Sequence, residues 1–153
     1  MPDINVDRWK QEGRLYLWCY LENTRNFPGW HLTADDDGCH SLADLIERML
    51  SARWSSQKSL VITLPAKDVL GVPNNRNGQA RWKAPALLML KYPKDKVRDG
   101  YSSLHVNGKT IVLSAGRQKL ELLKDCVLKI TKGEGDYAIE IGDANLWFWW
   151  MLR

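Results

Sequence analysis

Apolar positions along the chain follow two periods. From Arg14 to Leu21 they alternate, with Leu15, Leu17, Cys19 and Leu21 on one side and Tyr16, Trp18 and Tyr20 on the other. That is a strand with both faces at least partly covered. Asn23 to Asp37, with a Pro-Gly pair and three acids, reads as a loop. Ser41-Leu-Ala-Asp44 then fits a capping pattern. Behind it Leu42, Leu45, Ile46, Met49 and Leu50 step at helical spacing, which predicts an amphipathic helix from 41 to 54.

Lys58 to Leu64 and Ala86 to Tyr92 read as strands apolar on both faces. Ser102 to Leu113 reads as a hairpin turning at Asn107-Gly108, which sets Leu104 opposite Ile111 and His105 opposite Thr110. Ser114 is placed to cap a second helix, Ala115 to Thr131, with its stripe at Leu120, Leu123, Val127 and Ile130. Tyr137 to Ile141 and Leu146 to Met151 supply two final strands.

The order is β-α-β-β-β-β-α-β-β. Consecutive strands favour antiparallel pairing, so the expectation is an α+β fold: one mostly antiparallel sheet of about seven strands carrying two helices, as a single domain over 1–153. The longest irregular segment runs from Pro65 to Pro85, and irregular loops of that length are uncommon in compact domains unless they serve a function.

Composition agrees with a globular chain. Of 153 residues, 44% are hydrophobic and 26% charged, and a chain of this size buries about 70% of its unfolded surface without disulfide or metal staples. No apolar run approaches the ~18 residues of a membrane-spanning helix. The first residues are acidic where a secretory signal would be basic. Cys19, Cys39 and Cys126 are odd in number and lack CxxC spacing, which points to reduced thiols and a cytoplasmic setting without a membrane.

Charge is segregated. Residues 1–50 hold five basic and nine acidic side chains, whereas residues 51–100 hold ten and three. Arg76, Arg81, Trp82, Lys83, Lys91, Lys94, Lys96 and Arg98 fall in one stretch with a single acid, Asp95. Arginine forks grip phosphates and carboxylates, and Trp stacks on bases or cations. The expectation is therefore a non-catalytic binding or accessory protein that engages an acidic partner, nucleic acid or an acidic protein surface, through the basic region 76–98.

Two other readings compete. Leu146-Trp-Phe-Trp-Trp-Met151 as a strand sets Trp147 and Trp149 on one face and Trp150 on the other. An exposed row would serve a homodimer or a protein partner, or an inhibitor-type module. His31, Asp35, Asp37, Cys39 and His40 carry metal-ligand chemistry, the basis of a third reading as a small metal-dependent hydrolase. Their spacing fits no zinc or calcium pattern, and acids gather before helices because the helix dipole favours them.

Catalysis by other routes has little support. Cys39 and His40 are sequence neighbours, poorly placed for nucleophile and base, and no Gly-x-Ser-x-Gly elbow or phosphate loop occurs. Gly133-Glu-Gly-Asp-Tyr-Ala138 matches a dinucleotide fingerprint in letters only, since it follows a helix and opens a strand. Glu134, Asp136, Glu140 and Asp143 offer carboxylates but no pairing across a cleft. No cofactor is implied.

Overall fold

Short strand-forming stretches outnumber the two long amphipathic helices, and they sort into two sheets. The computed structural model describes residues 4–22, 28–66, 69–70, 81–134 and 137–149. A short helix α1 (Ile4–Asp7) precedes β1 (Leu15–Tyr20), β2 (Trp30–Ala34), α2 (Asp36–Leu50), β3 (Ser56–Val61), β4 (Trp82–Lys83) and β5 (Leu87–Tyr92). β6 (Ser102–Asn107), β7 (Thr110–Ala115), α3 (Arg117–Ile130), β8 (Tyr137–Ile141) and β9 (Ala144–Phe148) complete the chain. The first sheet has the order β4-β1-β2-β9-β8 and the second β3-β5-β7-β6. The fold is α+β, as expected, but among the described residues nine strands form two sheets where about seven in one were expected. Pairing is mostly antiparallel; β2–β9 and β5–β7 are the parallel pairs.

Both helices bury their stripes in one core. Leu42, Leu45, Ile46 and Met49 of α2 and Leu120, Leu123, Val127 and Ile130 of α3 meet Leu17, Leu32 and Phe148 from the first sheet. Leu60, Leu88, Leu90 and Leu113 reach the same core from the second. Truncating such a Leu to Ala typically costs about 2–5 kcal/mol. Lys124 of α3 bonds Glu47 of α2. Cations also meet the electronegative end of α2: Arg117 Nη2 donates to Leu50 O at 2.8 Å and Lys94 Nζ to Ala52 O at 2.7 Å.

Several boundaries differ from the sequence pattern for identifiable reasons. α2 starts at Asp36, not Ser41, because Asp35 is the cap. Its Oδ1 accepts from Gly38 N at 2.7 Å and from Arg14 N at 2.9 Å, which also fastens β1 to the helix. Ser41 instead lies within the helix, where its Oγ accepts from Glu12 N and its carbonyl from Trp9 Nε1. The helix stops at Leu50 and leaves Trp54 outside it, 56% exposed. α3 is entered from Gly116, not Ser114, which is still in β7 paired with Ser103 and Lys91. A Cβ at Gly116 would lie 2.2 Å from Arg98 O, so only glycine fits there, and the Asp99 carbonyl accepts from Gln118 N in place of a side-chain cap.

The segment 23–37 is not all loop: residues 23–27 lie outside the described residues, Trp30–Ala34 is β2, the strand between β1 and β9, and Asp36 and Asp37 open α2. His31 and Thr33 hide it from a hydropathy reading, being polar yet buried. The hairpin turns one residue later than expected. Asn107 pairs with Thr110, and the positive φ falls on Gly108 followed by Lys109, the Gly-x pattern of a type II′ turn. Leu104 therefore faces Leu113 and His105 faces Val112. A two-residue slip preserves side-chain parity, so the same side chains still face the core.

The edges of the second sheet are shielded against further strand pairing. Gln11 mimics a strand at β3, donating to Val61 O at 2.8 Å and accepting from Val61 N at 2.7 Å. At β6 the β8–β9 turn covers the other edge, with Gly142 N donating to Ser102 Oγ. The most economical test of this account is Asp35→Ala, which removes the shared acceptor of two amides. Urea unfolding of that variant is expected to show a loss of about 1–2 kcal/mol. A Ser41→Ala variant tests the same expectation from the other side, because its hydroxyl caps no helix and its loss is expected to be the smaller.

Candidate functional site

The outer face of the first sheet gathers the aromatics. Register sets Trp18 beside His31, His31 beside Trp147 and Tyr20 beside Trp82. Trp18 stacks on His31 with centroids 5.6 Å apart, Tyr20 meets His31 edge-on at 5.0 Å, and Trp147 stacks on Trp149 at 6.1 Å. Trp149 Nε1 donates to His31 Nδ1 at 2.8 Å, which commits that lone pair and places the neutral ring's proton on Nε2. Val69 and Leu70 pack over this face, and Tyr20 Oη donates to Leu70 O at 3.1 Å.

The expected aromatic interface therefore changes character. Trp149 is 3% exposed and belongs to the interior, so it offers no row to a partner. Trp147 is half-buried against the same cluster and donates to Pro28 O. Trp150 lies outside the described residues. Trp82 likewise is half-buried on the cluster, so it does not stand free beside the basic side chains.

The metal-ligand candidates are dispersed. His31 is buried among aromatic rings, and Asp35 is committed to two amides. Asp37 and His40 are exposed on a hollow of about 340 Å³ shared with Glu12 and Asp44, where Arg8, Lys10 and Arg48 balance the carboxylates. Among the described residues no three His, Cys, Asp or Glu side chains are placed to hold a metal.

Thiol chemistry is also disfavoured. Burial, reinforced by the carboxylates of Asp36 and Asp35, pushes the Cys39 thiol up to about 12. Burial raises Cys19 as well, against the opposing charge of Lys83. All three cysteines are free.

The basic stretch does not form one patch. Arg76 lies outside the described residues. Arg81 is held by Glu22, with an ion pair at 3.6 Å and its backbone N–H on the same carboxylate at 2.9 Å. Lys83 follows it on β4, an edge strand of the first sheet among the described residues. Lys91, Lys94, Lys96 and Arg98 instead lie at and beyond the far end of β5, in the second sheet.

There they meet residues the sequence pattern had assigned to a helix end. Lys94 Nζ holds Ala52 O at 2.7 Å, while Ser55 Oγ donates to Lys94 O at 3.3 Å. These two bonds dock the loop Arg53–Trp54–Ser55 onto the turn at 93–96. That turn is closed by Lys96 N donating to Pro93 O at 3.1 Å and carries Asp95 at φ 62°. Arg53, Lys96 and Arg98 are exposed, and with Lys91 they form no ion pair with any described residue. Beside them a cleft of about 540 Å³ opens between α1, the start of β3 and the end of β5, lined by Asp7, Ser55, Ser56, Gln57, Lys91 and Pro93 among others. An Arg-Trp-Ser-Ser run just after a helical stripe was the available signal, masked by extending the helix to residue 54.

Three measurements check this description. Trp149→Phe removes the donor to a buried imidazole and is expected to lower stability by about 1–3 kcal/mol in urea unfolding. Asp95→Gly relieves a left-handed residue and is expected to stabilise by up to about 1 kcal/mol. Cys39 keeps its proton in the folded chain up to about 12, whereas in the unfolded chain it loses the proton near its ordinary value of 9.0. Stability from this group is thus full below pH 9 and falls as pH rises toward 12. Cys39→Ala is expected to flatten that decline relative to the parent. Among the described residues no helix is long and apolar enough to cross a membrane. Compared with protein-family models, curated proteins and solved structures, the chain matches none.

Proposed function

We propose that this chain is a non-catalytic binding protein that engages an acidic macromolecule at the end of the second sheet. The observation that carries the reading is the exposed Trp54 on a loop fastened to the turn at 93–96, with Arg53, Lys96 and Arg98 nearby in the chain and Lys91 at the end of β5, none of these cations forming an ion pair with a described residue. Cations without an ion pair among the described residues, close to an exposed aromatic, are suited to an anionic partner and hold little stabilising value for the fold itself. Arg81 and Lys83 form a lesser basic group, partly neutralised by Glu22.

Charge separation supports the same reading. α2 has Asp35, Asp36 and Asp37 at its start and the Arg53 loop just beyond its end, about 22 Å away at 1.5 Å per residue. A molecule polarised in this way orients an acidic partner toward the basic end before contact. A reducing cytoplasm suits its three free cysteines.

Titration with polyuridylate and with polyglutamate at about 50 mM salt is expected to show binding to at least one, weakening steeply as salt is raised. Arg53→Ala with Lys96→Ala is expected to weaken that binding by about tenfold while stability stays within about 0.5 kcal/mol. Arg81→Ala is expected to have the smaller effect. Binding to neither polyanion at low salt overturns the reading.

A further inference from the structure

We infer that the cleft beside Trp54 is a site for one ribose-phosphate unit of single-stranded RNA, with the attached base stacked on Trp54. This rests on the acidic-partner reading above and names the partner.

The lining sets the chemistry. Ser56 Oγ is buried in the wall and has no hydrogen-bond partner among the described residues. A buried hydroxyl left without a partner is costly, and turning it about its Cα–Cβ bond toward the cleft would let a ligand oxygen accept from it and recover that free energy. Lys91 lines the same cleft without an ion pair among the described residues, and an anionic oxygen satisfies both groups at once. Asp7 and Gln57 stand on the same lining. A bare phosphate would be repelled by Asp7, so the ligand must also bring donors, and sugar hydroxyls are donors of that kind.

Size agrees. About 540 Å³ is far more than an inorganic anion needs and is in the range of sites for drug-sized ligands. Tyr92, the aromatic on the cleft lining, is buried, so among the described lining residues no aromatic face is exposed. A base therefore has no seat within it. The neighbouring Trp54, directly before the lining residue Ser55, supplies the exposed aromatic face that an unpaired base requires. A duplex hides its base faces, and an acidic peptide, though its backbone N–H groups could serve Asp7 and Gln57, brings no base to lay on Trp54. The combination selects single-stranded RNA, with the 2′-hydroxyl as the group that separates it from DNA.

The test is fluorescence anisotropy of the full chain with a labelled ten-nucleotide RNA. Its comparators are DNA of the same sequence, the corresponding RNA duplex and labelled polyglutamate. Single-stranded RNA is expected to bind about fivefold or more tighter than DNA and duplex. Trp54→Ala is expected to weaken RNA binding by about tenfold and Ser56→Ala by a smaller factor. Asp7→Asn is expected to narrow the gap between RNA and DNA, and Lys109→Ala, on the remote β6–β7 turn, to change nothing. Circular dichroism confirms that each variant is folded. Equal binding of RNA, DNA and duplex, unaltered by Asp7→Asn and Trp54→Ala, overturns the cleft assignment and leaves the acidic-partner reading standing. Binding of polyglutamate alone overturns it in favour of an acidic protein partner. Binding of none of the four overturns both.

Discussion

Two amphipathic helices each carry an apolar stripe, and every other element is arranged by the need to cover both. α2 and α3 lie together, yet pairing them leaves much of each stripe open. The first sheet closes it with Leu17, Leu32 and Phe148, and the second with Leu60, Leu88, Leu90 and Leu113. That requirement explains why the strands divide. It also fixes β2 and β9 as parallel neighbours near the middle of one sheet, and β5 and β7 in the other, although neither pair is consecutive in sequence.

The helices and most strands were legible because their side chains repeat at the period of the element they form. The stripe at Leu120, Leu123, Val127 and Ile130 is the plainest case. β2 was not legible, because His31 and Thr33 are buried by a second, aromatic layer on the far face of the sheet, and that layer is assembled from residues over a hundred positions apart. The start of α2 was misplaced because two capping patterns compete. Asp35 wins since its carboxylate also takes the Arg14 amide, a contact that exists only once β1 is in position. Of the site, the lysines at the end of β5 were visible as a run of charge. Trp54 was not, for it becomes exposed only because α2 stops at Leu50.

Tryptophan serves two purposes in this chain. Trp18 and Trp149 are interior plates around His31, and Trp147 and Trp82 flank them with part of each ring exposed. Packing aromatics on this sheet face buries Trp18 and Trp149 and leaves Trp147 and Trp82 partly exposed at its margin. Trp54 by contrast is 56% exposed, on the loop that Lys94 and Ser55 join to the turn at 93–96.

Lys94 is the basic residue of that turn whose charge is directed inward. Its ammonium closes on Ala52 O and its carbonyl accepts from Ser55, so two loops forty residues apart in sequence share one hinge-free lip. Under the proposed function, a ligand would meet side chains whose backbone is already held by these two bonds, so less ordering entropy would be lost on binding. Swapping Lys94 for a neutral residue would thus remove one unit of charge but, more consequentially, would uncouple the two loops. If the proposed site binds there, affinity would then decline through lost pre-arrangement, with the side chains assigned to it still present.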